Sequence, residues 1–220
     1  MIIEPKCGLC NYLRVIFSYH RLAKERGESL TVVWHQTQDC PGFFLDYFEP
    51  VPNIFFLQHD GGNHRDYVGC EILTGYPPNY EELKLLPYMQ AKVDGVVATL
   101  RDNYIAVHIR RTDHVNLAKS AGRYTDDDAF RAFIDREKQG KSIYIATDNK
   151  DTYDAFCSHY PDAIPVPYHA TIPGSLRQTS MMDSIVDLYV CVGASAFMGS
   201  GYSSFSEMID ALREEFSRSL

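Results

Sequence analysis

The run Val107-His108-Ile109-Arg110-Arg111-Thr112-Asp113 sets an imidazole, a pair of guanidinium groups and a carboxylate at the end of a β-rich stretch, Tyr104 to Ile109. On an extended backbone alternate side chains share a side, so His108 and Arg110 point together while Arg111 faces elsewhere and suits a structural carboxylate. An arginine fork matches phosphate oxygens bidentately and stays charged at any working pH. Ligands of open parallel sheets bind beyond the carboxyl ends of the strands, where this fork would stand. The chemistry suggested is a grip on a diphosphate. An Arg/Asp salt-bridge knot at a strand end is the plain alternative.

Further segments carry small or polar residues where a ligand could approach. Val192 to Ser195, then Phe197-Met198-Gly199-Ser200-Gly201-Tyr202-Ser203-Ser204-Phe205, reads as a strand ending in small residues before a helix that opens with hydroxyls. Backbone N–H groups at a helix start, with Ser203 and Ser204, make an anion site; a plain N-cap explains the serines equally well. Thr147 and Asp148 follow another strand-like stretch, Ile145-Ala146. They could touch ligand, or Asp148 could cap the next helix. Asp187 sits within an apolar helical run, where a carboxylate is normally paired, with a ligand base or ribose as one possible partner.

The chain opens with a small-residue turn, Lys6-Cys7-Gly8-Leu9-Cys10-Asn11. As C-x-x-C it could be a redox pair or half a zinc site, but no second half completes a metal site. A turn facing phosphate or sugar is the other reading. The tyrosines from Tyr76 to Tyr88 suit packing and turns, and His20 and His159 read as ordinary helix or surface residues.

The elements that must position these residues alternate between strand-like and helix-like stretches, which argues for an α/β class with parallel sheets. In the first half, helical spacing over Tyr12–Arg26 ends at Gly27. Strands are predicted over Leu30–Trp34 and Asn53–Leu57, with a short helix over Cys40–Tyr47 between them. His59 to Pro87 reads as irregular, and Tyr88 to Asn103 as a helix. In the second half, strands are predicted at Tyr104–Ile109, Ser142–Ala146, Ala163–Val166 and Ala196–Gly199. Helices are predicted at Asp126–Glu137, Asp151–His159, Met181–Val190 and Ser203–Arg213. The pattern changes near residues 95–103, dividing the chain into halves of residues 1–100 and 101–220.

With 220 residues, 45% of them apolar and 23% charged, the chain has the composition of an ordinary folded domain. At this length about 70% of the unfolded surface is buried, so neither metal nor disulfide is needed to fold. The formal charge of −8 argues against nucleic acid as a partner, although a local basic pocket for a phosphorylated ligand remains compatible with it. No apolar run approaches the roughly 20 residues of a membrane span. The first residues lack the layout of a secretory signal, and six scattered cysteines fit reduced thiols. A soluble, cytoplasmic protein is therefore expected.

Val107 to Asp113 resembles the H-x-R-R-x-D motif of the fucosyltransferase superfamily, which holds the core α-1,6-fucosyltransferase, nodulation fucosyltransferase and protein O-fucosyltransferases. Tyr144 to Asn149 is similar to the strand that follows it, and Asp187 through Ser203 resembles the last motif, an aspartate helix then a serine-rich turn. The resemblance spans about residues 104–210, and Gly8-Leu9-Cys10-Asn11 looks like the glycine turn of the other half. It implies a GT-B arrangement, two facing Rossmann-like halves in a compact, shortened form, with the acceptor on the first half and the nucleotide-sugar donor on the second. The implied activity is inverting, metal-independent transfer of a sugar, fucose from GDP-fucose first of all, to a glycan or other hydroxyl acceptor. No cofactor is expected beyond the GDP-sugar, which is the donor substrate. By the same analogy Arg110 holds the diphosphate, His108 and Asp187 the guanine-ribose end, and Ser203 a phosphate oxygen. The sequence departs from the pattern at His114, where the core enzyme has lysine, at Ala118, where it has a proposed catalytic glutamate, and at Cys10, where a second turn glycine is usual. With that glutamate replaced, Asp113 and His114 are the candidate bases. A non-catalytic nucleotide- or glycan-binding protein derived from the same fold is the alternative.

Overall fold

The computed structural model describes residues 1–59, 61–100, 103–168 and 179–218. The chain separates into two compact units, Met1–Tyr88 and Met89–Leu220, each built on its own parallel sheet.

In the first unit, β1 (Ile2–Pro5), β2 (Leu30–Val33), β3 (Ile54–Leu57) and β4 (Tyr67–Gly69) form a parallel sheet in the order β3-β2-β1-β4. Helix α1 (Leu9–Arg26) joins β1 to β2. It stops because Gly27 adopts φ 67°, where its N–H and that of Glu28 reach back to the carbonyls of Lys24 and Ala23. The core gathers around Trp34, which is fully buried and donates Nε1–H to the Gly42 carbonyl at 2.8 Å. Phe44 and Phe56 stack beside it at 4.0 Å. The short helix expected over Cys40–Tyr47 is a single 3-10 turn, Phe44–Asp46.

Two strands of this sheet escaped the sequence reading. Strand β1 has only four residues and ends in a proline, too few for an alternation to register. Strand β4 lies inside the stretch read as irregular and has three residues. Both are held by neighbours rather than by their own pattern, with β1 pairing β2 on one side and β4 on the other.

In the second unit, β5 (Ile105–Ile109), β6 (Ile143–Thr147) and β7 (Ala196–Gly199) form a parallel sheet in the order β6-β5-β7. Around it run α2 (Pro87–Val97), whose first residues belong to the preceding unit, α3 (Val115–Ser120), α4 (Asp127–Glu137), α5 (Lys150–His159), α6 (Met181–Gly193) and α7 (Ser204–Arg218). Side chains alternate across β5 and β6. Ile105, Val107, Ile109, Ile143 and Ile145 pack with Phe130, Ile134 and Phe156 of α4 and α5. From the other face, Tyr104 and Tyr144 reach Val190 and Asp187 of α6, and His108 reaches Ser206 of α7. The near-continuous apolar strands are those of a sheet covered on both faces. Asp126, Asn149 and Ser180 cap α4, α5 and α6, each accepting the N–H of the residue three positions on.

Two expectations need correction here, and one helix was not expected. The helix predicted over Tyr88–Asn103 ends as a regular helix at Val97, with residues 101–102 outside the described set. No strand forms at Ala163–Val166: the segment gives one ladder-like bond, Ile143 N–H to the Ala163 carbonyl at 2.7 Å, and then packs as a loop. Helix α3 was not foreseen, since six residues are less than two turns and show no periodicity.

Candidate functional site

Strand β5 delivers the basic run to the carboxyl edge of its sheet. Past Ile109 the backbone is caught on both sides. Ser200, just after β7, accepts the Arg110 N–H at 2.8 Å and donates to the His108 carbonyl at 3.2 Å. Asp148, just after β6, accepts the Arg111 N–H at 2.9 Å. Thr147 donates its hydroxyl to the Ile109 carbonyl at 2.7 Å. The turn carrying both arginines is therefore fixed by neighbouring strand ends and not by its own sequence.

The two guanidinium groups go different ways. Arg110 pairs with Asp148 at 2.8 Å and Asp113 at 2.5 Å. Asp148 is nearly buried and also accepts the Thr112 hydroxyl at 2.5 Å, whereas the Asp113 side chain is 32% exposed. Arg111 turns into the protein. It pairs with Asp127 at 2.5 Å, donates to the Thr125 carbonyl at 3.2 Å, and lies over the rings of Tyr124 and Phe130. Arg111 thus has the carboxylate partner expected of it, while both arginines border the same crevice. The salt-bridge knot is there too: Arg110 holds two carboxylates.

A narrow crevice opens beside this turn, lined by Arg110, Arg111, His114, Val115, Ala118, Tyr124, Thr125, Ser200 and Gly201. His114 stacks on Tyr202 with ring centroids 5.4 Å apart, and its Nε2 meets the Tyr202 carbonyl. A carbonyl only accepts, so in the neutral ring Nε2 carries the proton and Nδ1 the basic lone pair. Ala118 is buried in α3, and its methyl lines the crevice. Gly201 belongs there for a steric reason: a Cβ would come within 2.2 Å of the Arg123 carbonyl oxygen. At Gly199 a Cβ would meet the Ser206 Cβ at 2.4 Å, so only glycine lets β7 and α7 approach this closely.

His108 lies beneath the turn. Its Nδ1 is 2.7 Å from the Ser206 hydroxyl and its ring packs on Phe205 at 4.5 Å. Burial, then the charges of Arg110 and Arg111, push its pKa down to about 3, so the ring is neutral. Ser203 precedes α7 and accepts the Ser206 N–H at 3.5 Å, a long capping bond. It is buried and Ser204 half-buried at the same helix start.

Asp187 stands apart from the turn. Its Oδ1 accepts the Tyr144 hydroxyl at 2.6 Å, three residues back from the end of β6. Burial, opposed by that hydrogen bond and assisted by Asp183, raises its pKa to about 8. The partner that a buried carboxylate needs is thus a tyrosine of the protein. Gly8 and Asn11 belong to the first unit, where the Gly8 carbonyl accepts the N–H groups of Asn11 and Tyr12 to open α1.

Sequence reasoning missed Ser200, whose hydroxyl fixes the basic turn, and Thr125, which accepts the Gly201 N–H at 2.9 Å. Ser200 lies in the small-residue turn after β7, but its partners are at the end of β5, about 90 residues away, so no local pattern marks it. It also missed a hollow of about 250 Å³ in the first unit, bordered by Phe17, His20 and Lys24 of α1 and by Glu82. His20 is buried there and bonds through Nε2 to Glu82 at 2.9 Å, which also takes Lys24. Its pKa is lowered, chiefly by burial.

Among the described residues, no group of three or more His, Cys, Asp and Glu side chains is placed to hold a metal ion, and no helix is long and apolar enough to cross a membrane.

The fold has counterparts among solved structures. The fold is similar to NodZ α-1,6-fucosyltransferase co-crystallised with GDP, with a TM-score of 0.66 at 14% identity over 96% of this chain and 91% of that one. NodZ from Bradyrhizobium gives the same score and identity over 96% and 92%. POFUT1 in its apo form matches with a TM-score of 0.65 at 13% identity over 98% and 95%. At such identities the likeness establishes the fold, which is the GT-B type. No curated protein matches the sequence. The family model for GDP-fucose protein O-fucosyltransferase matches residues 21–216. The chain belongs to that family and is a fucosyltransferase-like glycosyltransferase.

Proposed function

We propose that this chain transfers fucose from GDP-fucose to a hydroxyl of a glycan or other acceptor, with inversion and without a metal ion. In this reading residues 101–220 hold the donor and residues 1–100 the acceptor. Its main support is the Arg110 side chain, fixed at the carboxyl end of β5 beside a crevice by Asp148 and, more loosely, by Asp113. NodZ and POFUT1, which share the fold, have both been crystallised with GDP.

Donor binding exchanges one anion for another on Arg110. The buried Asp148 stays and orients the fork, while the more exposed Asp113 gives way to a phosphate oxygen. A charge-assisted, bidentate contact of this kind is stronger than a neutral hydrogen bond by roughly a factor of two. The N–H groups that open α7 add a second source of positive potential near Ser203 and Ser204. Together they neutralise the charge that gathers on the diphosphate as the sugar–phosphate bond breaks. The acceptor oxygen attacks from the opposite side of the anomeric carbon, which inverts it. Its proton passes to a base, Asp113 once displaced from Arg110, or His114 through Nδ1. His108, Thr147, Asp148 and Asp187 complete the donor side, with Asp187 acting through Tyr144.

A second reading follows from Ala118, a buried methyl where the core enzyme has a proposed catalytic glutamate: a protein that binds nucleotide or glycan without turnover. Release of GDP from GDP-fucose distinguishes the two. Transfer that persists with a chelator, and a product whose anomeric proton shows inversion by NMR, supports the transferase. GDP that binds while GDP-fucose stays intact with every acceptor class supports the binder.

A further inference from the structure

We propose that Cys7 and Cys70 form a reversible disulfide that ties the turn between β1 and α1 to the exit of β4. The C-x-x-C spacing points to Cys10 as the partner of Cys7, but Cys10 is buried in the first turn of α1, while Cys7 is exposed. The topology supplies another partner. Strands β1 and β4 are parallel neighbours with Pro5 opposite Gly69, and the Lys6 N–H donates to the Gly69 carbonyl at 2.7 Å. Lys6 is therefore level with Cys70, and Cys7 stands one residue beyond it on the neighbouring chain. Strands lie about 4.8 Å apart and rise about 3.3 Å per residue, so this offset puts the two Cα atoms roughly 6 Å apart, within the roughly 4.4–6.8 Å that disulfide-bonded Cα atoms span.

The side chains meet as well. The Cys70 thiol is near enough to Cys7 to help raise its pKa, and it donates to Glu71 Oε1 at 3.8 Å. Cys7 holds the left-handed backbone at φ 76°, a conformation costly for a side-chain-bearing residue and common at functional positions. On the other side, Arg14 of α1 donates Nε–H and Nη2–H to the Cys70 carbonyl at 3.2 and 3.0 Å. Both cysteines are thus anchored to α1 and the sheet, and Cys70 is only half-buried.

The oxidant is a small disulfide such as oxidised glutathione. One protein thiolate attacks a sulfur of that disulfide, forms a mixed disulfide and expels one small thiolate. The other protein thiolate then attacks the mixed disulfide at the protein sulfur and expels the second. One bond joins the two protein sulfurs, the small disulfide is reduced to two thiols, and the two protons end on them. Partial desolvation, with Cys70 and Asp39 nearby, raises the Cys7 pKa although the residue is exposed, so the thiolate is scarce at neutral pH and the exchange is slow. The inference does not depend on the donor reading.

The test equilibrates the whole protein in glutathione buffers of graded redox ratio, alkylates the remaining thiols and maps peptides by mass spectrometry. The expected result is a loss of two hydrogens, with the Cys7 and Cys70 peptides joined and separated again by dithiothreitol. In Cys70→Ser, Cys7 should instead retain a glutathione adduct. Wild-type protein that links Cys7 to Cys10, or keeps Cys7 and Cys70 alkylatable in the most oxidising buffer, overturns the proposal.

Discussion

Arg110 is flanked by two carboxylates that differ in what holds them. Asp148 is buried and fixed by the Arg111 N–H and the Thr112 hydroxyl, whereas Asp113 is partly exposed. If Asp113 competes with the donor for the fork, Asp113→Asn should tighten GDP binding several-fold, because the competitor loses its charge. If Asp113 then accepts the proton, kcat should fall by at least about tenfold in the same variant. Steady-state kinetics with GDP titrations separate the two effects, and a variant unchanged in both leaves Asp113 purely structural. Asp187 invites a test of stability. Its pKa of about 8 exceeds the ordinary 3.8, so the folded state holds a proton that the unfolded state has lost, and stability falls as pH rises between those values. His108 works oppositely: its pKa of about 3 lies below the ordinary 6.5, so stability falls as pH drops through that window. Between pH 3.8 and 6.5 the two slopes oppose each other, each about 1.4 kcal/mol per pH unit for one group. Asp187→Asn should remove one slope, giving a stability that climbs with pH over this range in urea melts. A profile identical to wild type would mean that Asp187 does not titrate as its burial demands.

At the scale of elements, the site depends on three strand ends meeting: β5 brings the arginines, β6 brings Asp148, and β7 brings Ser200 and Gly201. The close approach at Gly201 is intolerant of volume. Gly201→Ala would push a methyl to 2.2 Å from the Arg123 carbonyl oxygen. The backbone must move, and overpacking of this kind costs about 1–3 kcal/mol. Thermal melts should show that loss together with weaker GDP binding, since Ser200 next door anchors the Arg110 turn. A melt and an affinity equal to wild type would show that the turn is not held as described. Sequence alone read this region well in part. The strand Tyr104–Ile109 and its basic terminus were legible because a β-rich run stops abruptly at charge. The Tyr144–Asp187 bond was not, since 43 positions separate its partners and nothing local pairs them. Strand β4, and with it the meeting of Cys7 and Cys70, was hidden because three residues among glycines and tyrosines carry no periodicity. Helix α3, which buries Ala118, was too short to read.

For the whole molecule, the alternation of strands and helices was enough to give an α/β class with parallel sheets, and the fold adds the strand order, β3-β2-β1-β4 and β6-β5-β7. Against a formal charge of −8, the adjacent Arg110 and Arg111 stand out, although each is held by carboxylates. On the proposed reading, a nucleoside diphosphate is met by Arg110 at the carboxyl edge of the second sheet. The measurement that tests this most directly is calorimetric titration of GDP into wild-type protein and into Arg110→Ala, with thermal melts of both. A desolvated phosphate clamp should cost about 3 kcal/mol when removed, on the order of a hundredfold in affinity, in a variant that still folds. Equal GDP affinity in the two proteins would contradict the account.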